Sequence, residues 1–204
     1  MFIIVRHGNT FEAGETPRRI GARTDLPLTA KGIAQAEALG AHFAALGLTF
    51  RRAFVSPLAR TRQSAAAILS QQEGAPALPR NAEFLREIDH GPDEDATEDA
   101  IRARIGADAR AAWDREAVVP PDWNVEPETR KAAWRVLFAQ SKPDDGPTLL
   151  VTSNGAARFA LLADPALAQA ARALPTMKLP TGGYGLIAHG ADGTLELREW
   201  GTRP

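Results

Sequence analysis

Arginine and histidine stand side by side at the end of the first apolar run of the chain, where Phe2-Ile3-Ile4-Val5 is followed by Arg6-His7-Gly8-Asn9-Thr10. Two other apolar runs end on similar polar stretches. Ala53-Phe54-Val55 leads into Ser56-Pro57-Leu58-Ala59-Arg60, and Leu149-Leu150-Val151 leads into Thr152-Ser153-Asn154-Gly155. Ligands of open α/β sheets gather beyond the carboxyl ends of strands, so these three ends mark one candidate site. Its residue types suit a phosphate monoester, which carries roughly −1.5 to −2 charges near neutral pH. Arg6 and Arg60 can hold such a group through paired N–H donors. Histidine is largely neutral at pH 7, so His7 can offer an uncharged nitrogen as nucleophile. The arginines neutralise charge in the transition state, a task that then needs no metal. Gly8 lets the backbone approach the phosphate. Ser56 as cap and Pro57 at the first helical position place a helix dipole behind it.

The elements that must position these residues are legible as patterns. The short apolar runs suit strands buried on both faces of a parallel sheet. Ile33, Ala36, Leu39, Phe43 and Leu46 recur at three- and four-residue steps and predict a helix over about 30–46. A second helix continues through Ala65, Ile68 and Leu69, and a third covers about 156–162. Breaker-rich segments at 74–79 and 143–147 mark turns. Runs at about 185–188 and 195–200 flank Gly190-Ala191-Asp192-Gly193 and read as a hairpin. Three strand–loop–helix units predict an α/β fold, a three-layer sandwich with a mostly parallel central sheet. The stretch 93–140 is charged, alanine-rich and carries Trp113, Trp123 and Trp134. It is expected to be a mainly helical insertion, broken at Pro120-Pro121, within a single domain over 1–204.

Bulk properties bound the partners. A net charge of −1 supplies no global basic field, so nucleic acid and anionic membrane surfaces are not expected, and any anion site must be local. The absence of cysteine excludes disulfides and thiolate zinc sites. The four histidines, His7, His42, His90 and His189, show no metal-pair spacing, so neither metal nor other cofactor is expected. Arg6 ends the N-terminal apolar run after four residues, unlike a signal peptide, and a cytoplasmic location is the expectation. The partner would be a small phosphorylated substrate. Oligomeric state is not legible.

Arg6-His7-Gly8-Asn9-Thr10 resembles the R-H-G-x-T signature of the histidine phosphatase, or phosphoglycerate mutase-like, superfamily. Asp25-Leu-Pro-Leu-Thr29 with Gly32 and Gln35-Ala36, the stretch Ser56 to Ala65, and Leu85-Arg86-Glu87 with Gly91 resemble further family segments in the same order. The resemblance implies a phosphoglycerate mutase-like fold with His7 as the phosphorylated nucleophile. Arg6 and Arg60 would hold the phosphate, joined by Asn9 and Arg18, and Glu87 would be the proton donor to the leaving oxygen. It implies metal-independent phosphomonoester hydrolysis of the histidine acid phosphatase type. Two alternatives stand beside it: phosphoglycerate mutase-type phosphotransfer, and a catalytically weak protein that binds phosphate ligands. The weak reading comes from a departure. Ser153 occupies the place where the family carries a second catalytic histidine. Loss of one transition-state donor costs on the order of 10²–10³ in rate. Ser153 or Asn154 would then give the phosphate a neutral hydrogen bond, or His90, three residues after Glu87, would supply the missing imidazole.

Overall fold

The computed structural model describes residues 1–74, 77–141 and 145–204. The turns expected at 74–79 and 143–147 therefore fall partly outside the described residues. Among these residues the chain forms a six-stranded sheet in the order β3-β2-β4-β1-β5-β6, with helices on both faces. The strands are β1 (Phe2–Arg6), β2 (Arg52–Val55), β3 (Arg80–Asn81), β4 (Thr148–Thr152), β5 (Tyr184–His189) and β6 (Leu195–Thr202). The helices are α1 (Ala30–Ala45), α2 (Ala59–Leu69), α3 (Glu98–Glu116), α4 (Pro127–Ala139), α5 (Asn154–Leu162) and α6 (Pro165–Ala171). Strands β3, β2, β4 and β1 run parallel, and the β5–β6 hairpin adds an antiparallel edge beside β1. The α/β class expected from the sequence is what the chain adopts, as a mixed sheet.

The unbroken apolar runs follow from burial on both faces. Phe2, Ile3, Ile4 and Val5 are all fully buried, and alternation along the strand divides them. Ile3 and Val5 pack with Ala36, Leu39 and Phe43 of α1 and Ala65 and Ile68 of α2. Phe2 and Ile4 face the other layer with Trp113, Trp134 and Phe159. Each such side chain contributes roughly 1.5–3 kcal/mol of apolar burial. Trp113 and Trp134 are at most 1% exposed, so the 93–140 segment is part of the main core rather than an appendage to it. Its two helices are separated around Pro120-Pro121, as the sequence predicts.

One boundary differs from expectation. Helix α2 begins at Ala59, with Leu58 as a cap residue that forms no side-chain cap bond, so Ser56 and Pro57 precede it. The Ala59 amide instead donates to Asp25 Oδ1 at 2.6 Å. A carboxylate already occupies this helix end, so its dipole is not left for a ligand.

The sheet also fixes how closely the His7 loop lies on α1. Thr29 caps α1 by accepting from the Gly32 amide at 3.1 Å. A Cβ at Gly32 would lie 2.2 Å from the Asn9 carbonyl oxygen, and one at Gly8 would lie 2.2 Å from the Gly32 oxygen. Backbone meets backbone here, so neither side can yield cheaply. Gly32→Ala is expected to lower stability by about 1–3 kcal/mol through overpacking. Urea denaturation followed by far-UV circular dichroism checks this, and an unchanged midpoint would refute the close approach.

Candidate active site

Helix α1, which follows β1, covers one face of the sheet, while α5, which follows β4, covers the other. Adjacent strands whose helices diverge in this way open a crevice at their carboxyl ends. His7 sits at its base. Its amide donates to the Thr152 carbonyl at 3.0 Å and its carbonyl accepts from the Gly182 amide at 3.1 Å, so the backbone is held from both neighbouring strands. A cavity of about 670 Å³ opens there, with Arg6, His7, Asn9, Glu87, His90, Asn154 and Arg158 in its wall.

The His7 ring is oriented for nucleophilic work. Nδ1 lies 2.7 Å from the Gly8 carbonyl, which can only accept, so Nδ1 carries the hydrogen. The lone pair is then on Nε2. Burial, followed by the charges of Arg60 and Arg6, pushes the His7 pKa well below its ordinary value, so the ring is neutral at pH 7.

The structure brings most of the predicted residues to this crevice, in roles that partly differ. Arg6 donates from Nη1 to the Leu179 carbonyl at 2.9 Å and lines the cavity, and its buried Nε has no partner. Asn154 accepts from the Leu179 amide through Oδ1 at 3.0 Å, leaving its amide nitrogen for the cavity. Asn9 spends its side-chain nitrogen on the Phe11 carbonyl, so it shapes the loop instead of pointing donors at a ligand. Arg60 is completely buried and donates to the carbonyls of Thr24 at 2.7 Å and Gly21 at 3.0 Å. It pins the 21–24 loop and reaches His7 through its charge, and its buried Nε has no partner. Arg18 stands at the rim, 3.2 Å from Asp95 and about half-exposed. Ser153 is fully buried, and its Oγ has no hydrogen-bond partner.

Glu87 departs most from expectation. A proton donor needs a raised pKa. Burial does raise it, but the opposing effects prevail and the pKa is lowered. Oε1 accepts from the amides of Ile88 at 2.9 Å and Ala156 at 3.1 Å, and Oε2 accepts from Gly155 at 3.0 Å. His90 and Arg60 add favourable charge. Glu87 is thus an ionised carboxylate that caps α5, a task Ser153 does not perform. Gly155 permits the contact, since a Cβ there would lie 2.3 Å from Oε1.

Sequence reasoning missed two features, Arg158 in the cavity wall and Glu94 behind it. Arg158 is fully buried, stacks over Trp113 at 4.0 Å and donates to the Trp113 carbonyl. Burial lowers its pKa to about 10, which leaves it charged. Its spacing of four from Asn154 on a helix was the available signal. The second is Glu94, which lies 3.5 Å from His90 Nδ1 and accepts from the amides of Gly21, Arg23 and Thr24 at 2.9–3.0 Å and from the Thr24 hydroxyl at 2.8 Å. These donors and His90 outweigh burial and bring Glu94 to about 2.

The fold and this crevice define a class. A model of the histidine phosphatase superfamily (branch 1) matches residues 2–201, and the chain belongs to that family. Among curated relatives, the 2,3-bisphosphoglycerate-dependent phosphoglycerate mutase of Rhizobium etli is 33% identical over 119 residues, 58% of this chain and 56% of that protein. Over that match the chain spans just over half of the relative's length. The enzyme of the same name from Beijerinckia indica is 28% identical over 98% of this chain and 96% of its own. A mycobacterial glucosyl-3-phosphoglycerate phosphatase has the same fold, with a TM-score of 0.77 at 20% identity over 100% of this chain and 99% of that one. No helix among the described residues is long and apolar enough to cross a membrane.

The Glu94 shift carries a stability consequence. Its folded pKa lies below the ordinary 4.5, so its contribution is complete above 4.5 and is lost as pH falls towards about 2. Glu94→Gln is expected to cost roughly 2–4 kcal/mol at pH 7, by removing a charged acceptor from several donors. The variant should also flatten the loss of stability between pH 4.5 and 2. Denaturant unfolding across that range tests this, and an acid slope equal to that of the wild type would contradict it.

Proposed function

We propose that the chain hydrolyses phosphate monoesters without a metal, through a phosphohistidine on His7. The observation that carries this reading is the neutral His7 ring, whose Nδ1 is committed to Gly8 and whose Nε2 keeps its lone pair beside Arg6. In the first step Nε2 attacks phosphorus, the P–O ester bond breaks, and the ester oxygen leaves as the alcohol after taking a proton from water. In the second, water takes the phosphoryl group from His7 and inorganic phosphate departs. Arg6 and the Asn154 amide, both in the cavity wall, donate to the phosphoryl oxygens in this reading. Arg60 stabilises the same charge from behind the loop, and the buried Arg158 adds a second cation in the wall.

A second reading is phosphoglycerate mutase-type transfer, favoured by the names of the curated relatives. It shares the His7 step and differs only in what takes the phosphoryl group. The two separate by product. Hydrolysis releases inorganic phosphate in step with alcohol, while transfer conserves total ester.

Incubation with 4-nitrophenyl phosphate, followed by acid-free detection of protein-bound phosphate, tests the common step. His7→Asn is expected to lose at least about 10³-fold in rate together with the bound phosphate, as removal of a nucleophile does. Turnover that persists in a folded His7→Asn protein would rule out the phosphohistidine.

A further inference from the structure

The segment from Met177 to Gly183 touches the residues around His7 four times. The Gly182 amide donates to the His7 carbonyl at 3.1 Å, and the Gly183 carbonyl accepts from the Arg6 amide at 3.0 Å. The other two contacts fall on one residue. The Leu179 carbonyl accepts from Arg6 Nη1 at 2.9 Å, and the Leu179 amide donates to Asn154 Oδ1 at 3.0 Å. Both side chains assigned to the phosphoryl oxygens are therefore aimed by the two peptide groups that flank a single Cα. Towards His7 the segment is closed on itself, with the Gly183 amide donating to the Pro180 carbonyl at 2.9 Å. At the other end the Met177 carbonyl accepts from Trp200 Nε1 at 3.0 Å. Lys178 stands between that anchor and Leu179.

Lys178 Nζ lies 2.6 Å from Asp114 Oδ2 on α3, and both residues are in the cavity wall. Asp114 pairs also with Arg110, Arg110 with Glu98 at 3.1 Å, and Glu98 with Arg19, so the carboxylate that receives Lys178 is itself braced. The two side chains are 37% and 23% exposed. An ion pair so open to water contributes little to global stability. Its effect on position is of another size. Lys178 carries the peptide group whose N–H orients Asn154, and a misplacement of about 1 Å can cost about 10²-fold in rate. We propose that the Lys178–Asp114 pair positions Leu179, and through it aims Arg6 and Asn154 at one phosphoryl group. Lys178 is a positioning residue here, with its ammonium group taken by Asp114. The inference rests on the reading of this crevice as a phosphate site.

A double-mutant cycle tests it. The readouts are the affinity for inorganic phosphate, by titration calorimetry, and kcat/KM on 4-nitrophenyl phosphate. Lys178→Met and Asp114→Asn are each expected to lower both by about 10- to 100-fold, with the urea midpoint nearly unchanged. The double variant should be no worse than the poorer single. Lys178→Arg, which keeps a cation for Asp114, should recover most of the loss. Should Asp114→Asn fold poorly, Asp114→Glu, which lengthens the pair, takes its place in the cycle. Losses that multiply in the double variant would overturn the proposal. So would a loss in Lys178→Met with none at Asp114, which would make Lys178 a direct ligand, and so would single variants that match the wild type. A wild type that binds phosphate but hydrolyses no ester would bring down the phosphatase reading alone, and the affinity cycle would still decide the positioning role. A wild type that binds no phosphate would bring down both.

Discussion

The Glu87 carboxylate, with three backbone amides around it, is the contact on which the rest of the site depends. It joins the segment after β3 to the start of α5, two parts of the chain 68 residues apart. A buried carboxylate is tolerated only when its lone pairs are filled. The amides of Gly155 and Ala156 are themselves donors that a helix start leaves unsatisfied. Each side therefore resolves the other's deficit. The contact sets the depth of α5 against the sheet, and so the placement of Asn154 and Arg158, which share a helix face with it.

Charge alternates through the crevice in a way that keeps His7 uncharged. Arg6 and Arg60 flank it, and bringing a third positive charge between them is unfavourable. Burial lowers the pKa of both arginines, and the negative charge of Glu87 partly offsets that loss. Further out, Glu98 pairs with Arg19 and Arg110, and Asp114 pairs with Arg110 and Lys178. Arg6, Arg19 and Arg158 line the cavity and carry buried Nε groups without partners. A protein of net charge −1 thus holds a local positive field without a basic surface.

What was legible in the sequence was local. The run Phe2 to Val5 announces a central strand, and the residue after it must emerge at the sheet's carboxyl edge, so His7 could be placed. The split around Pro120-Pro121 and the final hairpin followed from breakers and turn residues in the same way. What escaped depends on distant partners. Ser56-Pro57 has the form of a helix start, yet Asp25 caps α2 from 34 residues earlier, and the helix begins at Ala59. The presence of Arg60 near the site was readable, but its direction was not, because its acceptors belong to an irregular loop. The ionisation of Glu87 lies in amides that no local pattern links to it. Strand β3, two residues long, gives too little pattern to read.

Ser153 brings these threads together. The family resemblance of the sequence leads one to expect an imidazole at this position. The side chain that occupies it is buried, unpartnered and absent from the cavity wall. Helix α5 is instead capped from the opposite segment, where Glu87 accepts from the Gly155 and Ala156 amides. That segment is tied at both ends by carboxylate contacts, Glu87 to α5 and Glu94 to the 21–24 loop. The part of the cavity wall it supplies is therefore set by two distant stretches of the chain at once.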